Sequence, residues 1–158
     1  MSAVLKPQWR VEPFQEEDLG ELIAIEKTVY EFPWTVGNFR DSVRAGYSCW
    51  AYRSPADELV GYGVLMHGVD EAHLLNLSIA QSYQRAGHGS RLLEHFIGIA
   101  HKTKAKLIFL EVRPSNLAAR ALYARHKFKL VGTRRGYYPA AYGREDALVL
   151  SLSLNETK

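Results

Sequence analysis

Apolar and polar positions follow different spacings in successive stretches of this chain, and each change of spacing predicts an element. WRVEPF, residues 9–14, reads as a first strand. In EEDLGELIAIEKTVY, Leu19, Leu22, Ile23 and Ile25 form a helical stripe beneath an acidic first turn. Pro33 in FPW stops that helix, and Thr35 can cap a second short one that ends near Gly46. YSCWAYR and LVGYGVLMHGV then read as the strands of a hairpin joined by the polar turn SPADE. A further strand covers Ala72–Ala80. A helix from about Gly89 to Lys102 follows, with Leu92, Leu93, Phe96, Ile97 and Ala100 on one face. KLIFLEV, Lys106–Val112, is a near-continuous apolar run, the pattern of a strand buried on both faces. Ser115–His126 reads as helix from a capping residue at its start, and FKLVGTRRGYY and EDALVLSLSL close the chain as strands.

Strand, glycine loop, helix, strand and helix in that order make a βαβα unit. Its two strands should be parallel neighbours joined by a right-handed crossover, with antiparallel strands on either side. The expected architecture is one α+β domain over residues 1–158. It has a mixed, mostly antiparallel sheet of about seven strands, a central parallel pair and flanking helices.

Composition narrows the function classes. The chain is 47% hydrophobic and 23% charged over 158 residues, which excludes disorder as its main state. A net charge of +3 is too near balance to argue for nucleic acid, and it would not repel an anionic cofactor. The single Cys49 sits in a strand-like stretch and reads as a buried structural thiol in a reducing compartment. No signal-peptide core or bilayer-length apolar run is present, so the expected address is the cytoplasm with no membrane partner. His67, His73, His88, His95, His101 and His126 lack metal-ligand spacing, so no metal is expected. Arg134-Arg135 and HKTKAK read as solvated faces, and no direct nucleic-acid partner is expected.

The loop QSYQRAGHGS carries the chemistry. Gly87 and Gly89 place no side chain where a helix begins, and first-turn amides with the helix dipole form an anion site. The alternative is a turn that only connects strand to helix. No Walker ending is present, because Ser90 and Arg91 follow Gly89, and Leu92 stands where a dinucleotide fingerprint needs its third glycine or alanine.

Gln84-x-x-Gly87-x-Gly89, after a strand and opening a helix, resembles the acetyl-CoA motif of the GNAT superfamily of N-acetyltransferases. The resemblance spans almost the whole chain. It implies that backbone groups of Leu77, Ser78 and Ile79 meet the pantetheine arm, and that Arg85, Ala86, Gly87, His88, Gly89 and Ser90 hold the pyrophosphate. LEVRPSNLAARALY, YYPAAYGREDALVLSL and the early FPW are similar to the branch that acetylates the N-terminal alanine of a small-subunit ribosomal protein. Acetyl-CoA as co-substrate and a ribosomal-protein N-terminus as acceptor are therefore implied.

Acetyl transfer needs a base for the amine, a polariser for the thioester carbonyl and an acid for the departing thiolate. Glu111 follows an apolar strand, where partial burial would raise its pKa; it is either a strand-end carboxylate facing water or a base. Tyr123 either packs as a helical aromatic or protonates the thiolate. The resemblance implies the base role for Glu111, directly or through water, the acid role for Tyr123, and cofactor contact for Asn116, which can also cap its helix. Carbonyl polarisation falls to a backbone N–H of the strand ending LSIA. Tyr137, Tyr138 and Pro139 either wall the acceptor slot or pack on the surface. Many relatives have Gly-Phe where this chain has Lys127-Phe128, which predicts a differently built turn. The alternatives are a lysine or polyamine acceptor, or a non-catalytic acyl-CoA-binding module.

Overall fold

The computed structural model describes residues 8–154. Its elements are β1 (Arg10–Pro13), α1 (Leu19–Val29), α2 (Val36–Arg44), β2 (Ser48–Arg53), β3 (Leu59–His67), β4 (Glu71–Ile79), α3 (His88–Lys102), β5 (Leu107–Val112), α4 (Leu117–Arg125), β6 (Lys129–Pro139) and β7 (Arg144–Ser153). The strands form a seven-stranded mixed sheet in the order β1-β2-β3-β4-β5-β7-β6. β4 and β5 are parallel, from Glu71↔Leu107 to Leu74↔Leu110, as the βαβα pattern predicts. Two compact units divide the chain: Met1–Val64 with Leu77–Leu92, and Leu65–Asn76 with Leu93–Lys158.

In the first unit the stripe on α1 buries Leu19 and Leu22 against Phe14, Phe39, Cys49, Ala51, Leu59, Tyr62 and Val64, with Ile23 and Ile25 packed alongside. Burying each large side chain contributes roughly 1.5–3 kcal/mol. Phe39 is the hub of this cluster, edge-on to Phe14 and Tyr62 and tilted against Trp34. α1 stops at Val29, ahead of Pro33, because Tyr30 is already extended. Thr35 caps α2 as its position predicts. Its hydroxyl accepts from the Asn38 amide at 3.1 Å, and Asn38 Oδ1 accepts from the Thr35 amide at 2.9 Å. β3 lies unusually close to β4 at Gly61, where a Cβ would meet Ser78 O and Ile79 Cδ1 at 2.7 Å.

In the second unit β7 runs antiparallel to both β5 and β6. β5 corrects the expectation of burial on both faces. Ile108, Leu110 and Val112 are buried, whereas Leu107, Phe109 and Glu111 are only half-buried. The apolar run conceals this asymmetry because Phe109 lies on the more open face, stacked on His73 at 5.5 Å. Helix α4 starts one residue later than a serine cap would place it. Asn116 is the cap, its side-chain oxygen accepting from the Ala119 amide at 3.2 Å.

The turn after α4 also corrects an expectation. Lys127 adopts the left-handed backbone, φ 74°, that a glycine would take. Lys127 and Phe128 amides close back on the Ala124 and Tyr123 carbonyls, both at 3.0 Å. The glycine-type helix end is therefore kept without the glycine.

Candidate functional site

The glycine loop belongs to the first unit. Arg85 and Gly87 both have positive φ, 66° and 85°, so the chain reverses twice before α3 begins at His88. Gln84 explains the first letter of its motif: Nε2 donates to the Ile79 carbonyl at 3.0 Å and ties the loop to the end of β4. The Arg91 amide bonds the Gly87 carbonyl at 3.2 Å, so the amides of His88, Gly89 and Ser90 lie ahead of that helical bond. Arg85, Ala86 and Gly87 are exposed, and nothing lies within 4 Å of a Cβ built on Gly87. A concave, amide-rich turn at a helix N-terminus suits a phosphate group.

The preceding strand is held from behind. Tyr30 Oη lies 2.7 Å from Ser78 Oγ and donates to the Leu77 carbonyl at 3.3 Å. Burial, with the Glu26 charge adding, pushes the Tyr30 phenol up to about 12. Ser78 is buried, so its side chain serves the fold, while Leu77 and Ile79 are half-exposed. His88 likewise turns inward. Its ring is tilted against that of Trp9 at 4.4 Å, and Nδ1 lies 2.9 Å from Tyr52 Oη. Its imidazole is held below its ordinary pKa by burial first and Arg91 second. Among the groups of His88, the backbone is what remains for the loop. A cavity of about 450 Å³ lies beside α1, lined by Ala24, Ile25, Thr28, Val29 and Ala80–Ser82.

In the second unit Glu111 is paired with Arg134, Nε to Oε2 at 2.6 Å, and its side chain is 27% exposed. The same guanidinium sits 5.2 Å from the Tyr137 ring centre. Tyr137 and Tyr138 meet edge-on at 5.0 Å, and Arg113 lies 4.4 Å over the Tyr138 ring. Burial, followed by the Glu111 charge, pushes the Tyr138 phenol up to about 12. Arg113 also donates to the Pro139 carbonyl and to Glu145, whose second oxygen accepts from the Ser115 amide at 2.9 Å. Asp146 accepts from the Gly136 amide and Arg144 donates to the Tyr137 carbonyl, fixing the irregular stretch that presents the two tyrosines. The GREDA segment thus acts as scaffolding for YYP. Tyr123 is buried on α4, edge-on to Phe128 at 5.6 Å, while Asn116 is exposed at the helix start.

The Acetyltransferase (GNAT) family model matches residues 8–128. The chain belongs to the GNAT acetyltransferase family. It is an acetyl-CoA-dependent N-acetyltransferase. It is 33% identical over 145 residues to the ribosomal protein bS18-alanine N-acetyltransferase of Escherichia coli K12, covering 92% of this chain and 97% of that one. A putative enzyme of the same name from Bacillus subtilis is 27% identical over 96% of this chain and all of its own. The E. coli crystal structure superposes with a TM-score of 0.87 at 32% identity, over 96% of this chain and 97% of that one. An Arabidopsis thaliana structure in complex with acetyl-CoA has a TM-score of 0.82 at 18% identity, covering 94% and 99%, and shows the shared fold.

Among the described residues no group of His, Cys, Asp and Glu is placed to hold a metal ion. No described helix is long and apolar enough to cross a membrane. Arg134 is the residue that sequence reasoning passed over, read as part of a solvated face. Strand register could have found it. Glu111 pairs with Val149 and Arg134 with Ala147, so both flank β7 on the same face.

Proposed function

We propose that this chain is an Nα-acetyltransferase that moves acetyl from acetyl-CoA directly to the N-terminal alanine of a small-subunit ribosomal protein. The near-full-length likeness to the E. coli enzyme carries this reading. The pyrophosphate would lie on the amides of Arg85–Ser90, the pantetheine arm along Leu77–Ile79, and Asn116 would reach the cofactor besides capping α4. Glu111 acts as base and Tyr123 as acid. The amine nitrogen bonds to the thioester carbon, the carbon–sulfur bond breaks, Glu111 takes the amine proton and Tyr123 returns one to the thiolate. Cys49 supports direct transfer over a covalent carrier. Burial pushes its thiol up to about 11, so it is not a thiolate at neutral pH. On this reading residues 1–158 work as one acetyltransferase domain in the cytoplasm, with no membrane or nucleic-acid partner and no metal.

Intact-mass spectrometry tests the acceptor. The protein is incubated with acetyl-CoA and a peptide copying the ribosomal protein's alanine-first N-terminus, beside the same peptide with its amine blocked. A gain of one acetyl group on the free peptide alone is the expected result. Acetylation of the blocked peptide would instead favour a lysine acceptor. Cofactor binding without transfer to either peptide would favour another amine acceptor, such as a polyamine, or the non-catalytic module.

A further inference from the structure

We infer that Arg134 is a positioning residue that holds the Glu111 carboxylate between turnovers and yields it to the acceptor's ammonium group; this rests on Glu111 being the base. The 2.6 Å pair reaches diagonally across β7, where Ala147 and Val149 lie between the two side chains on one face. Gly132, opposite Val149 on β6, carries no side chain to block that reach. Arg134 is 60% exposed, so the pair is largely screened by water and inexpensive to open. While it holds Glu111 the guanidinium also lies 5.2 Å from the Tyr137 ring centre, and that ring is 43% exposed and able to keep the cation as the carboxylate is released. A protonated N-terminus and this guanidinium are both cations seeking one carboxylate. One must leave before the other can be deprotonated there, and Arg134 has somewhere to go.

Removing the competitor and removing the positioning act on different kinetic constants. Arg134→Ala should lower the acceptor KM by about two- to fivefold, the range of an exposed ion pair. It should lower kcat by a similar or larger factor, because the carboxylate loses its orientation. Arg134→Lys should recover part of both. In a Glu111→Gln background the Arg134→Ala change should have no further effect on either constant. Steady-state kinetics with the alanine-first peptide measures all four proteins. A raised KM at unchanged kcat would overturn the proposal by making Arg134 an acceptor contact, and so would no change at all. An undiminished Arg134→Ala effect in the Glu111→Gln background would overturn it by placing the effect in the fold. Full activity of Glu111→Gln alone is a separate result, which would sink the base assignment itself.

Discussion

Glu26 is a carboxylate in the middle of a hydrophobic unit, and its removal gives the strongest stability test. It is 1% exposed on α1. Oε1 accepts from Tyr62 Oη at 2.8 Å and Oε2 from the Trp34 amide at 2.9 Å. Trp34 lies between α1 and α2, where no helical carbonyl is at hand, and Tyr62 is fully buried on β3. Glu26→Ala leaves the buried Tyr62 hydroxyl and the half-buried Trp34 amide without this acceptor, at about 1–3 kcal/mol for the buried donor and less for the other. The expected loss is therefore about 1–4 kcal/mol, a sizeable share of the roughly 5–15 kcal/mol that holds a typical domain together. Desolvation opposes this, since burying a charge is costly and its replacement by apolar groups is sometimes neutral. The geometry decides for the hydrogen bonds, because both carboxylate oxygens are used and the Tyr62 donor is fully buried. Urea unfolding followed by tryptophan fluorescence reads the change as a lower midpoint at unchanged slope. Tyr62→Phe completes a double-mutant cycle with an expected coupling of about 1–2 kcal/mol. A neutral or stabilised Glu26→Ala would refute the reasoning and show that desolvation wins.

Lys127→Gly should stabilise the protein by about 0.5–1 kcal/mol, because the left-handed backbone costs an L-residue more than glycine loses in entropy. Thermal melting should rise by about 1–4 °C, and a drop would mean the lysine side chain has a role of its own. Cys49, with its thiol pushed up to about 11 by burial, should resist iodoacetamide at pH 8 until urea opens the core; a native rate like that of free cysteine would contradict the buried assignment. His88 sets a pH dependence. Its folded pKa lies below the ordinary value of 6.5, so the neutral form is favoured on folding. That stability is present above 6.5 and lost as pH falls through the folded value. Chemical unfolding at pH 7.5 and 5.5 should show a smaller acid loss in His88→Gln than in the parent, with the similarly depressed His95 supplying the remainder. Equal losses would remove His88 from the account.

Local signals were read well from the sequence, and contacts between distant residues were not. Thr35 capping α2 and the glycine turn ahead of α3 each follow from residues within one turn, and the parallel β4–β5 pair follows from the order of strand, helix and strand, not from any single contact. The sequence pattern of β5 misled because LIFLEV contains apolar residues on both sides, and hydrophobicity alone does not say which face a layer covers. Lys127 misled for the opposite reason. The absence of glycine there argued for a new turn, but hydrogen bonds to Ala124 and Tyr123 outweigh the strain of one left-handed residue.

The candidate site divides the same way. Gln84, Gly87 and the helix start were legible because the loop's work is done by backbone over a few consecutive residues. The groups around Glu111 were not, because Arg134, Tyr137 and Tyr138 come from a strand more than twenty residues later and meet it only through the register of β7. Glu111 alone reads as a strand-end carboxylate in water or as a base, and in the fold it is paired with an exposed guanidinium. A half-exposed carboxylate needs no partner for stability, since such a pair contributes about 0–1 kcal/mol. Sheet stability therefore gives little reason to place a cation there. The pair matters where the carboxylate must be held in one orientation and then released, and the Arg134→Ala and Glu111→Gln cycle separates that use from simple surface packing.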